Sequence, residues 1–141
     1  MFISERGVGL KSQIQRNARL IAELHQRVHE TVRERDVSAS RRKAWVDACS
    51  EFQARYDTLA FIGGVSTARD RIRSGDAMAI EYALCFIEVR PYFFRSGYMY
   101  KDFLRVLRNI ELSPQQRVRY ERVSEAYAEY RRSRRHPQAD R

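Results

Sequence analysis

Two histidines, His25 and His29, stand four residues apart, a spacing that sets both imidazoles on one face of a helix. Such a pair can form one edge of a zinc site, but zinc needs further ligands. The glutamate-containing metalloprotease pattern is also missing. The pair therefore reads as two partly exposed histidines on a polar flank, and no metal is expected. Glu81 and Glu88 are the acids best placed for acid–base work, because they share a face of the most apolar segment. Seven residues apart and surrounded by arginines, they are expected to pair with Arg69, Arg90 or Arg95. Neither Cys49 nor Cys85 has a histidine near it in sequence, and no serine sits in a nucleophile elbow. Phe61-Ile62-Gly63-Gly64-Val65 lacks the Lys-Ser/Thr of a phosphate loop and reads as a helix end with a turn. The chain is expected to have no enzymatic activity and no cofactor.

The strongest chemical signal is RPYFFRSGYMYK, residues 90–101, where five aromatic rings alternate with three cations. As core, it is a helix break. Pro91 stops one helix, Tyr92, Phe93 and Phe94 cover the junction, and Ser96 caps the next helix. Gly97 then permits a positive φ or a close helix approach. As surface, the same mixture stacks bases and neutralises phosphates, and it is also what protein interfaces favour. Five rings cannot all point inward. The candidate binding residues are Arg90, Tyr92, Phe94, Arg95, Tyr98, Tyr100, Lys101, Arg105 and Arg108, joined by Arg131, Arg132, Arg134 and Arg135 near the C-terminus.

Charge sharpens the choice of partner. The net charge is +9, and 24 of the 27 basic residues are arginine. Residues 76–89 hold three acids and no base, residues 90–108 five bases and one acid, and residues 131–141 five bases and one acid. Two basic blocks thus flank a near-neutral stretch. Blocks of this sign suit an anionic partner, although arginine in place of lysine also follows from a GC-rich genome. Two cysteines among apolar neighbours make no disulfide framework. The start, MFISERGVGLK, does not have the form of a secretory leader, and no apolar run is long enough to span a bilayer. A cytoplasmic location with no membrane partner is expected.

Helical periodicity must position these groups. Leu10, Ile14, Ala18, Ile21, Leu24, Val28 and Val32 form one stripe on a long helix over about 9–35. Ile14, Ile21 and Val28 repeat every seven residues, which permits a homodimer through this helix. VSAS at 37–40 starts a second helix with Ala44, Trp45, Ala48, Cys49, Phe52, Tyr56 and Leu59 on its face. Ser66 or Thr67 caps a short third helix reaching Arg73. Asp76 caps a fourth, apolar nearly all round and so central. Met99, Phe103, Val106, Leu107 and Ile110 mark a fifth. Ser113-Pro114-Gln115-Gln116 starts a sixth, carrying Val118, Val123, Ala126, Tyr127 and Tyr130. The fold class is all-α: one domain over 1–131, a bundle of five to six helices with helical-repeat-like packing possible, and a flexible arginine-rich tail over 132–141.

PYFFRSGYMYKDFLRVLR followed by LSPQQR resembles a group of small bacterial helical proteins. These carry a Phe-x-Arg-Ser-Gly-Tyr core, a helix with paired leucines and a Leu-Ser/Thr-x-x-Gln segment. Here Phe93 takes the spaced position before Arg95, with Phe94 directly adjacent. The resemblance covers roughly residues 76–125; it implies a helical fold and a bacterial source and carries no functional residue across. The sequence reads as a binding module for another protein, of adaptor, antitoxin or immunity type. The alternative is a nucleic-acid binder making phosphate contacts through 90–108 and the basic tail.

Overall fold

The computed structural model describes the backbone of residues 2–135 and the side chains of residues 9–135. Helix α1 (Phe2–Val32) and helix α2 (Ala39–Ala60) form a long antiparallel hairpin. Its stripe of Leu10, Ile14, Ala18, Ile21 and Leu24 is buried against α2 and the fourth helix of the same chain. Of the sevenfold positions, Ile14 and Ile21 are thus covered from within the chain, and Val28 is half-buried. Ser38 caps α2, its side chain accepting from the Arg41 amide at 3.1 Å. An ion pair from Arg27 to Glu51 links the two helices, and Arg41 and Arg42 at the start of α2 pair with Glu34 and Asp36 of the connecting turn.

After α2 the chain reverses at Gly63 and Gly64, whose φ values of 75° and 103° are strained for any residue with a Cβ. A Cβ on Gly64 would lie 2.4 Å from an Asp57 carboxylate oxygen. A 3-10 turn over Val65–Thr67 leads into α3 (Ala68–Arg73). Arg71 ties this turn together, donating to the Ile62 and Gly64 carbonyls and to the Thr67 hydroxyl. Helix α4 (Ala77–Val89) follows, with Asp76 accepting from the Met78 and Ala79 amides at 3.0 and 3.1 Å. Its apolar character has the expected consequence. Ala79, Ile80 and every residue from Tyr82 to Ile87 are buried, and α4 touches α1, α3, α5 and α6.

Helix α5 (Ser96–Arg108) and helix α6 (Pro114–Arg135) complete the bundle. Phe61, Tyr82, Phe86 and Phe103 pack edge-on or tilted at its centre with centroids 4.6–5.2 Å apart. Each such pair adds about 0.5–1.5 kcal/mol beyond area burial. The start of α6 is the reciprocal box that Ser113 and Gln116 foretell. The Gln116 amide donates to the Ser113 hydroxyl at 3.2 Å, and the Gln116 side-chain oxygen accepts from the Ser113 amide at 3.0 Å.

Several expectations are corrected. Helix α1 ends at Val32 rather than near 35, and α6 runs on to Arg135, so residues 132–135 of the expected tail are helical. The remainder of that tail, 136–141, lies outside the described residues. On α6, Val118 is 55% exposed, whereas Tyr120 is buried with its O–H donating to the Leu104 carbonyl at 2.8 Å. Thr67 makes no side-chain cap on α3.

Candidate functional site

Between α4 and α5 the backbone turns a corner that glycine would ordinarily make. Arg90 ends α4 at φ 51° and Arg95 precedes α5 at φ 69°, both left-handed. Gly97, expected to take such a conformation or to receive a close neighbour, does neither. Ser96 is not the cap of α5 either. Its buried hydroxyl accepts from the Phe93 amide at 3.0 Å while its own amide donates to the Phe93 carbonyl at 2.9 Å. This double link pins Phe93 inward, where it meets Phe86 and Tyr56.

The rings beside it face the other way. Tyr92 is 94% exposed, Tyr98 77% and Phe94 40%. Phe94 is nonetheless held: the Tyr56 O–H donates to its carbonyl at 2.7 Å, and its ring lies 4.9 Å from His25 and 5.8 Å from Phe52. Arg95 stacks over the same ring at 5.2 Å. The corner thereby closes against α1 and leaves a concave groove of about 660 Å³. Its lining includes His25, Gln26, Tyr92, Phe94, Arg95, Tyr98 and Lys101, and no carboxylate. Burial, then the charge of His29 beside it, pushes the His25 imidazole below its ordinary value of 6.5, so the groove presents a neutral ring at pH 7. His25 and His29 are 4.6 Å apart edge to face, and no cluster of three or more metal-ligating side chains occurs among the described residues.

Arg90 and Tyr100, grouped with the corner in the sequence, belong to a separate cluster. The Arg90 guanidinium lies 4.6, 5.8 and 5.3 Å from the rings of Tyr100, Tyr127 and Tyr130. Tyr100 is buried behind it, so that ring is structural rather than a contact surface. Lys101, Arg105 and Arg108 do stand exposed on one face of α5, and Arg131 faces them from α6. Arg132 pairs with Glu129, and Arg134 stacks on Tyr130 at 5.9 Å; both, with Arg135, are exposed in the last turns of α6.

Glu81 and Glu88 share a site, but with a different partner from any expected. Arg69 engages Asp102, and Arg119 of α6 takes both glutamates. Arg119 Nη1 donates to both Glu81 carboxylate oxygens at 2.7 Å, while Nη2 and Nε reach Glu88 at 2.7 and 3.2 Å. Lys11 adds a fourth charge at 3.5 Å from Glu88. Burial pushes the Glu88 carboxyl up, and the hydrogen bonds and charges of Arg119 and Lys11 outweigh it, so its pKa falls below 4.5. Cys85, against this network, has its thiol pushed up to about 11, first by burial and then by Glu81. An ion cluster of this kind locks α6 to α4.

His25, Gln26 and Ser124 line these surfaces without having been singled out as contact residues. The only local sign for His25 was its position beside the buried stripe of α1. Its approach to Phe94 joins segments far apart in the chain. The chain matches no protein-family model, no curated protein and no solved structure.

Proposed function

We propose that this protein is a non-enzymatic binding module that docks an acidic segment of another protein, seating an apolar side chain of that segment in the corner groove. The observation that carries this reading is the exposure of Tyr92, Phe94 and Tyr98 around a concavity. Rigid aromatic rings in a concave setting are the usual anchors of protein interfaces, and apolar exposure grouped in one place marks an interaction site. The partner's sign follows from the rim, where Arg95 and Lys101 supply cations and no carboxylate answers them. Glu81 and Glu88, occupied by Arg119, support a binding role over acid–base chemistry.

Selection of random 12-residue peptides on the immobilised protein tests this. Peptides with Asp or Glu flanking a leucine or aromatic residue should be enriched. Tyr92→Ser and Arg95→Gln should each weaken the selected peptides at least about fivefold, the fold-change for ~1 kcal/mol. Enrichment without acidic residues, or affinity indifferent to both substitutions, refutes the assignment. Tyr92 is the cleaner probe because its ring makes almost no contact with the fold.

A further inference from the structure

A second concavity runs between α5 and α6, and its chemistry differs from that of the corner. About 480 Å³ in volume, it is lined by Lys101, Arg105, Arg108 and Arg131, with Tyr127 and Ser124 on the α6 side. No carboxylate lines it. Two acids flanking the cations are engaged: Asp102 is held by Arg69 at 2.7 Å and reached by Arg105 at 3.6 Å, and Glu129 pairs with Arg132. Lys101, Arg108 and Arg131 form no ion pair among the described residues. Arg131 is positioned nonetheless, stacked 5.9 Å from the Tyr127 ring.

The spacing makes a track of these charges. Tyr98, Lys101, Arg105 and Arg108 follow one another at three- and four-residue steps, which places them in a line along α5. At 1.5 Å per residue, Lys101 to Arg108 spans about 10 Å, with Arg131 opposite. Four cations spread over that length suit a chain of phosphates better than one compact anion. At the open end of the line the Tyr98 ring stands 77% exposed, a face on which an unpaired base can stack.

We propose that the α5–α6 groove is a track for single-stranded nucleic acid, with phosphates on Lys101, Arg105, Arg108 and Arg131 and a base on Tyr98. It shares Tyr98 and Lys101 with the rim of the corner groove, whereas Arg105, Arg108 and Arg131 lie only along this groove and Tyr92 and Arg95 only along the corner one.

Fluorescence anisotropy with labelled 12-nucleotide oligo(dT) and oligo(U), at 50 to 200 mM NaCl, tests it on the full chain. Three to four phosphate contacts predict a log–log slope of about −2 to −3, an affinity loss of roughly 20- to 50-fold over that range. Arg105→Gln/Arg108→Gln should weaken binding and make the slope shallower by about 1.4. Tyr98→Leu should weaken it at least about fivefold with the slope unchanged. Tyr92→Ser should leave oligonucleotide binding intact. Either of two results overturns the proposal: a slope shallower than −1 with no response to Arg105→Gln/Arg108→Gln, or a heparin fragment or duplex DNA that competes as well as the single strand. Failure here leaves the peptide selection untouched, and failure of that selection leaves this slope untouched.

Discussion

Arg119 holds two glutamates at once, and its removal should be costly in a way that removing all three partners is not. Its side chain is 24% exposed, those of Glu81 and Glu88 18% and 17%, and all four of its contacts with their oxygens fall between 2.7 and 3.2 Å. Breaking a buried pair from one side costs about 3–5 kcal/mol, because the remaining charge has lost its partner and cannot regain water. The residual exposure, and Lys11 remaining near Glu88, place Arg119→Met at the low end, about 3 kcal/mol. In urea, with m near ~2 kcal/mol/M, that moves the unfolding midpoint down by roughly 1.5 M. The triple variant Glu81→Met/Glu88→Met/Arg119→Met removes the charges together and should fall within about 1 kcal/mol of the parent.

Acid provides the second readout. The Glu88 pKa is lower in the folded protein than its ordinary 4.5, so its pairing contributes fully above that pH and is lost as pH drops through the folded value. In Arg119→Met the main lowering partner is gone and burial, the largest single influence on the carboxyl, is opposed only by Lys11, so the variant should lose less stability on acidification than the parent. The gap between parent and variant should therefore be widest near neutrality and close below about pH 4.5. A gap under ~1 kcal/mol at pH 7, or one constant from pH 7 to 3, would show that the cluster does not clamp α6 to α4.

Two further expectations concern the corner. Arg90 and Arg95 share a left-handed backbone, so glycine relieves similar strain at both; yet Arg90 forfeits three ring contacts and Arg95 one, and Arg90→Gly should end about 1 kcal/mol less stable than Arg95→Gly by thermal unfolding. Ser96→Ala strips the buried Phe93 amide of its acceptor and should lower stability by roughly 1–2 kcal/mol, and an unchanged urea midpoint would mean that Phe93 is held by packing alone.

The helices were legible because their signals are local. The stripe of α1, the caps at Ser38, Asp76 and Ser113, and the apolar sweep of α4 are each contained within a few turns of chain. Long-range pairing had no such signal. Arg119 lies 31 and 38 residues from its glutamates, so sequence proximity favoured Arg90 and Arg95 instead. Those two were misplaced for a shared reason. Left-handed corners usually announce themselves as glycine, and here arginine occupies both while the available glycine, Gly97, sits in an ordinary turn of α5. Tyr120 was missed because Val118 and Ala126 offered a more apolar stripe. The face of α6 that turns inward instead joins a tyrosine, through its O–H, to the Leu104 carbonyl.

The corner's exposed rings follow from the ring it hides. Once Ser96 pins Phe93 toward Phe86, the neighbours on either side face outward, and Tyr92 and Phe94 emerge on the α1 side. A corner needed only for folding would be served as well by polar residues at 92 and 98, since Tyr92 and Tyr98 add little to the core. Exposed substitutions away from caps and pairs usually change stability by no more than about 0.5 kcal/mol. The large rings there, beside cations with no opposing carboxylate, therefore contribute little to whether the chain folds. For Phe94 the two roles overlap, because His25, Phe52 and Tyr56 all lean on it. It belongs to the scaffold that holds the groove open, whereas Tyr92 can be changed with the bundle intact.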